Sequence, residues 1–308
     1  MHTVLAGGVG AARYLCGALE AFPPSTVTAV VNVGDDVVLH GLHISPDLDT
    51  CTYTLAGAID PERGWGLVNE TWKAMAELGR YGGDNWFGLG DRDLGTHLFR
   101  TARLHAGASL TSVTAEIATA WGLSCKLLPV TNQSVETRVT LTDGSEIGFQ
   151  EYFVRLAHSV EVTGVRFDGA DTSTVSREAL DAIKSADGLV IAPSNPIVSI
   201  GPILAIPGVT EAVVARRDRN VAVSPIVGGA ALKGPADRML RELGEESSVV
   251  GVARRYRDLA ATLVIDEVDA DLASDVEAAG MHALVMPTIM SEPGVAAALA
   301  TACAEACR

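Results

Sequence analysis

Thr3-Val4-Leu5-Ala6-Gly7-Gly8-Val9-Gly10-Ala11-Ala12-Arg13 decides the fold. A short apolar run makes a buried strand, the glycines make a tight turn, and the small residues after them open a helix whose free N–H groups suit a phosphate. Working outward, the next apolar run ends in Asn32-Val33-Gly34-Asp35-Asp36, and Pro46-Asp47-Leu48-Asp49-Thr50 follows. Carboxylates crowded at a strand end repel one another unless a cation arrives, and oxygen ligands suit a hard cation such as Mg2+. Together the two stretches predict a phosphorylated ligand held by backbone amides and a metal held by carboxylates. The plainer alternative is that these acids are turn residues and helix caps, with Asp47 after Pro46 the best case for it.

The same alternation continues down the chain. Thr3 to Ala6, Val27 to Asn32, Gly188 to Ala192, Val221 to Ser224, Thr262 to Ile265 and Ala283 to Met286 read as buried parallel strands. Amphipathic helical patterns at Val175 to Ala186, Val209 to Arg217, Ala236 to Leu243 and Pro293 to Ala304 separate them. This rhythm predicts an α/β fold with a doubly wound, mainly parallel, Rossmann-like sheet and ligands at the carboxyl ends of its strands. Between Asp60 and Ala157 the pattern changes to helices at Asn69 to Leu78, Leu94 to Leu104 and Thr111 to Trp121, then alternating strands joined through Thr142-Asp143-Gly144-Ser145. The expected organisation is a nucleotide-binding core of residues 1–59 and 158–308, with an inserted helical and β-hairpin cap of residues 60–157 over the ligand edge.

Composition narrows the function. A net charge of -15 with no cluster of Lys and Arg argues against a nucleic-acid partner. An acidic chain that binds an anion must compensate locally, with backbone amides, a few arginines and a divalent metal. No apolar run approaches the roughly 18 residues of a membrane span, and no secretory signal is visible, so a cytoplasmic location without a membrane partner is expected. The five cysteines form no CxxC pair, which favours reduced thiols over a disulfide framework or a zinc site.

Further motifs fall near the predicted ligand edge. The glycine turn fits a dinucleotide fingerprint loosely, because Arg13 stands where a third glycine should be and Asn32 where the ribose-binding acid should be, so NAD is disfavoured. Pro193-Ser194-Asn195-Pro196-Ile197-Val198-Ser199 follows the strand at Gly188, and Ser224-Pro225-Ile226-Val227-Gly228-Gly229 follows the next. Rigid, hydroxyl-rich loops of this kind suit nucleotide recognition. Gly90-Asp91-Arg92-Asp93 precedes a helix, so Asp93 is either its N-cap or, with Asp91 and Arg92, part of a substrate contact. His40 and His43 are spaced to share a helical face, without a third ligand for zinc.

Eight segments in order, GGVGAAR (7–13), VNVGDD (31–36), HISPDLDT (43–50), RGWG (63–66), GLGDRDLGTHL (88–98), LTDGSEIGFQEYFV (141–154), APSNPIVSIGPIL (192–204) and SPIVGGAALKGPA (224–236), resemble the 2-phospho-L-lactate transferase family of coenzyme F-420 biosynthesis, in its actinobacterial phosphoenolpyruvate transferase branch. The resemblance implies a Mg2+-dependent transferase. In it the ribityl hydroxyl of the deazaflavin Fo attacks the phosphorus bearing lactate or enolpyruvate in a guanosine diphosphate diester, giving F-420-0 or its dehydro form and expelling GMP. By position, Gly7, Gly8, Gly10 and Arg13 are expected on the diphosphate, Asn32, Ser194, Asn195 and Ser199 on the guanosine part, and Asp35 and Asp36 on the metal. Asp35 and Asp49 are the expected catalytic acids, with Asp49, Asp91 and Arg92 on Fo; a homodimer is the expected assembly. The position two before Gly90, a lysine in archaeal members, is Gly88 here, and Arg92 or main chain would have to replace its contact with Fo.

A reading from another class is a non-catalytic, nucleotide-sugar-binding regulator of the gluconeogenesis-factor type, which begins with a similar glycine loop. The PDLDT and GDRD segments favour the transferase, since a regulator needs no Fo pocket.

Overall fold

The computed structural model describes residues 2–308. Its strands are β1 (His2–Ala6), β2 (Val27–Val31), β3 (Val37–Leu39), β4 (Leu42–Ile44), β5 (Lys126–Pro129), β6 (Glu136–Leu141), β7 (Glu146–Gly148) and β8 (Val162–Asp168), then β9 (Gly188–Ile191), β10 (Asn220–Val223), β11 (Ile226–Val227), β12 (Ala230–Ala231), β13 (Thr262–Ile265) and β14 (His282–Val285). The α-helices are α1 (Gly8–Ala21), α2 (Pro46–Leu55), α3 (Lys73–Arg80), α4 (Asp93–His105), α5 (Leu110–Ala120) and α6 (Arg177–Ser185), then α7 (Gly201–Ala205), α8 (Val209–Val214), α9 (Ala236–Glu242), α10 (Val249–Tyr256), α11 (Ala273–Ala278) and α12 (Val295–Ala306).

Seven strands form one sheet in the order β14-β13-β10-β9-β1-β2-β5, and every pair in it is parallel. This is the α/β Rossmann-like architecture that the sequence predicts. β1, β2, β9, β10 and β13 are buried along their whole lengths, as apolar runs covered by helices on both faces must be. α1 and α12 pack together so closely that a Cβ on Gly17 would lie 2.2 Å from the Ala296 carbonyl oxygen. Chain order reverses at β1, with β2 on one side and β9 on the other. Such a switch point leaves a crevice at the strands' carboxyl ends.

The domain boundaries need correction. β5 is the seventh strand of the main sheet, paired with β2 through Thr28 to Val31, and α5 packs against it. Residues 110–129 therefore belong to the core. Conversely, β8, placed by its position in the core, pairs with β6 in a small β7-β6-β8 antiparallel sheet. The cap is thus built from three pieces of chain. They are the β3–β4 hairpin, the stretch through α3 and α4, and the small sheet. A separate apolar cluster of Ile44, Met75 and Leu89 packs the first two together. The hairpin also corrects the helical reading of His40 and His43. His40 sits in its turn with φ 54°, and His43 lies in β4. All five cysteines are free thiols, and no helix among the described residues is long and apolar enough to cross a membrane.

Candidate active site

A cavity of about 980 Å³ opens at the switch point, between the carboxyl ends of β1, β2 and β9 and the cap. Its floor is the start of α1. Gly7 is the N-cap in extended conformation and Gly8 has φ 68°, so the chain turns sharply; the Gly8 N–H is taken by Asp47, and the next N–H groups of the first turn have no partner within the helix. A Cβ on Gly10 would lie 2.1 Å from the Pro193 carbonyl oxygen, so only glycine lets α1 meet the loop after β9. Ser194 in that loop lines the cavity, and its hydroxyl oxygen is buried without a hydrogen-bond partner. Ser199 and Asn195 line it too, although the Asn195 carbonyl oxygen accepts from Ile197 N at 2.9 Å and so shapes its own loop. Arg13 faces the cavity with an exposed side chain and no ion-pair partner among the described residues. These are the amides, hydroxyls and cation that a phosphorylated ligand requires.

Asn32 has a different place from the one expected. It is fully buried, its amide donates to Asp47 at 2.9 Å, and its carbonyl oxygen accepts from Gly34 N at 2.7 Å. With its capacity spent inside the protein, it braces the acidic cluster and does not line the cavity. Asp47 is no cap either: it lies inside the first turn of α2, after Pro46 at N1, and faces the glycine turn.

Burial governs the carboxylates here. It raises Asp35 well above the usual carboxylate range, with the charges of Asp47 and Asp36 adding to the shift. Burial likewise raises Asp36, although Ser45 Oγ donates to it at 2.6 Å. Asp47 is pushed up to about 6, against the hydrogen bonds from Asn32 and the Gly8 N–H. Asp47 has its donors. Asp35 Oδ1 and Asp36 Oδ1 have none, and buried oxygens without partners are what a hard cation would satisfy. Residues and metal fit each other at this pair. Asp35 opens on the large cavity, and both acids border an adjoining recess of about 160 Å³.

Asp47 and Asp49 lie two apart in one turn of α2, so their side chains diverge. Asp49 points to α4, where Arg100 donates one nitrogen to Asp49 Oδ2 at 3.1 Å and the other to Oδ1. His97 Nδ1 lies 3.7 Å from Asp49 Oδ2, and its Nε2 lies 3.3 Å from Asp93 Oδ2. Tyr53 donates to Asp93 Oδ1 at 2.6 Å. Asp93 is therefore not the cap of α4. Burial opposes its ionisation, but the hydrogen bonds and charge of its neighbours hold it below the usual range. Oxygens of Asp49 and Asp93 and a nitrogen of His97 lie within 4.8 Å of one another, a spacing that a metal could use. The Arg100 guanidinium already supplies the positive charge there, and the group reads as an ion-pair network. Arg100, His97 and Tyr53 were not singled out from sequence. Their signal is the polar series Asp93, His97, Arg100 at spacings of four and three along a helix whose other face is exposed.

The cap lines the opposite wall with Trp65, Trp86, Phe87, Phe149 and Phe153. Asp91 and Arg92 are not part of it. Asp91 accepts from the backbone N–H groups of Lys73 and Ala74 and so holds the start of α3, while the Arg92 guanidinium donates to the Val68 carbonyl. Gly88 does line the cavity, where a Cβ would meet Trp65 at 3.2 Å and Trp72 at 3.4 Å. Two further cations line the cavity: Arg63, seated 5.4 Å from the rings of Trp65 and Trp72, and Lys233, close enough to Arg13 that burial and the Arg13 charge both lower its pKa.

Residues 3–293 match the family described as 2-phospho-L-lactate transferase CofD. The chain belongs to that family. Among similar proteins, the phosphoenolpyruvate transferase of Nocardia farcinica is 45% identical over 94% of this chain and 90% of its own. That of Streptomyces griseus is 45% identical over 96% of this chain and 95% of its own, and that of Mycobacterium avium 43% over 97% and 96%. CofD membership makes the chain a transferase, of the actinobacterial branch. A crystal structure of a Bacillus halodurans protein of the UPF0052 family superposes with a TM-score of 0.62 over 98% of both chains, at 18% identity, and shares the fold.

Proposed function

We propose that this CofD-family protein transfers a phospholactyl or phosphoenolpyruvyl group from a guanosine diphosphate diester to the deazaflavin Fo, in coenzyme F-420 biosynthesis, with Mg2+. One observation carries the reading. A single cavity joins a glycine turn with free amides, an acidic cluster with unpartnered oxygens and an aromatic cap wall. The three regions match a diphosphate, a metal and a planar acceptor ring in turn. The names of the relatives point to the enolpyruvyl donor.

On this reading the turn of Gly7, Gly8 and Gly10 brings the first-turn amides of α1 after Gly8 to the diphosphate, with Arg13 and the Ser194 hydroxyl beside them. Asp35 and Asp36 would hold the Mg2+, which when bound neutralises charge on the diphosphate. Asp49, fixed by Arg100, orients the ribityl hydroxyl of Fo for attack, and the aromatic wall holds the ring system and excludes water. Mass spectrometry of mixtures of Fo with each donor tests the reading. It predicts dehydro-F-420-0 from the enolpyruvyl donor, and recovery of unchanged Fo from both donors would refute it.

A further inference from the structure

We infer that Lys233 binds the carboxylate of the transferred group, and so selects donors whose terminal phosphate is esterified to a small carboxylic acid. The inference rests on the transfer reading above and adds a specificity-determining residue to it.

Three Lys and Arg side chains among the described residues line the cavity, and they differ in what already holds them. Arg63 is committed, since its Nη2 donates to the Leu67 carbonyl at 2.9 Å and pairs with Asp60 at 2.9 Å. Arg13 projects from α1 beside the first-turn amides, where the diphosphate is placed. Lys233 stands in the loop between β12 and α9, exposed and without an ion-pair or hydrogen-bond partner among the described residues. The chain holds 38 acids against 23 bases, so a free ammonium in it is not for want of carboxylates. Lys233 is left open for an anion that the ligand brings.

Its position says which anion. On one side burial and the charge of Arg13 both disfavour the ammonium, and two cations held together in an acidic chain repel unless an anion joins them. On the other side Lys233 Nζ lies against the cap, where a Cβ on Gly64 would come within 2.2 Å of it. Gly64 has φ 72°, so both its backbone and the room for the ammonium call for glycine. The next residue is Trp65 of the aromatic wall. Lys233 therefore sits where the phosphate floor meets the acceptor wall.

The donor places its carboxylate at the same junction. The phosphorus under attack lies between the nucleotide and the acceptor, and the small acid hangs from that phosphorus. Amides, Arg13 and the metal answer the phosphates, whereas the acids at the end of β2 and in α2 repel a further carboxylate. An ammonium is a compact charge with three donors on a flexible stem. It can follow the carboxylate whether the adjoining carbon is tetrahedral, as in lactate, or planar, as in enolpyruvate. Lys233 thus recognises the class of donor and does not choose between its two members.

Calorimetry of the full chain with Mg2+ and without Fo tests this, because binding is then read with no transfer. Two ligands are compared: the lactyl guanosine diphosphate diester, and the isopropyl diester, in which a methyl group replaces the carboxylate and the phosphates are unchanged. Wild type should bind the lactyl diester at least about tenfold more tightly, the scale of a hydrogen bond between charged groups. Lys233→Met should abolish that preference by weakening the lactyl diester alone, with the isopropyl diester within about twofold, and Lys233→Arg should keep most of it. Equal affinities in wild type, or a preference that survives Lys233→Met, overturn the inference. Equal weakening of both ligands in Lys233→Met also overturns it, by making Lys233 a phosphate contact. A protein that binds neither diester overturns it together with the transfer reading. A wild type that shows the preference and yet leaves Fo unchanged defeats the transfer reading alone.

Discussion

Arg100 grips both carboxylate oxygens of Asp49 across 51 positions of chain, from α4 of the cap to α2 beside the core sheet. The pair ties the cap to the acidic cluster and fixes the carboxylate at the cavity wall. Breaking a buried pair by removing one partner leaves the other charge uncompensated, a loss of about 3–5 kcal/mol. Arg100→Met should therefore lower unfolding stability by about that amount in urea. A loss under about 1 kcal/mol would show that the pair is solvated and does not anchor Asp49.

Asp49→Asn keeps the shape but gives up the charge that orients the acceptor hydroxyl. Single-turnover transfer should fall at least about tenfold while GDP affinity stays within about twofold, because the interaction lies on the acceptor side. Loss of GDP binding with an unchanged rate would move Asp49 to the nucleotide.

Asp47 supplies a pH signature. Burial raises its folded value to about 6 from an unfolded value near 3.8. The folded state holds a proton that the unfolded state has released, so stability falls as pH rises from about 4 to about 6 and then levels. The difference corresponds to about 3 kcal/mol at most. Asp47→Asn should thus stabilise the metal-free protein at pH 7 and have little effect at pH 4, by urea titration at both. An equal effect at the two pH values would contradict the raised value.

Asp35 Oδ1 and Asp36 Oδ1 have no partner in the protein, which predicts that Mg2+ raises Tm and that Asp35→Asn removes most of that rise. The same variant should need more Mg2+ for half-maximal transfer. Full activity in excess chelator would exclude the metal from this pair.

Gly10→Ala forces a Cβ to within 2.1 Å of the Pro193 carbonyl oxygen. It should cost a few kcal/mol, as overpacking does, and weaken GDP binding at least tenfold by calorimetry. Wild-type GDP affinity in this variant would mean that the α1–Pro193 contact does not shape the site.

The parts of the fold legible in the sequence are those with strong local signals. Runs such as Val27 to Val31 and Thr262 to Ile265 are apolar and β-branched because both faces are covered, and the glycine turn after β1 has no other reason to be so glycine-rich. β5 carries no such signal: Lys126 opens it, Pro129 closes it, and it follows three helices, so it reads as cap although it completes the core sheet. The acids are visible in the sequence as a cluster, and what their spacing does not show is the partners that hold each one. Divergence of Asp47 and Asp49 depends on where Asn32 and Arg100 sit, and both are long-range partners. Asp91 and Arg92 read from sequence as substrate contacts, whereas tertiary contacts with residues 68–74 engage both. Arg100 belongs to the polar series Asp93, His97, Arg100 on one face of α4, and its burial depends on the long-range partner Asp49.

The most direct test is a single turnover with enzyme in excess over the enolpyruvyl guanosine diphosphate donor, with Mg2+, quantifying GMP and dehydro-F-420-0 by chromatography. One GMP is expected for each dehydro-F-420-0 formed, and neither when Fo is omitted. GMP released at the same rate without Fo, or bound donor that yields no GMP with Fo present, would contradict it.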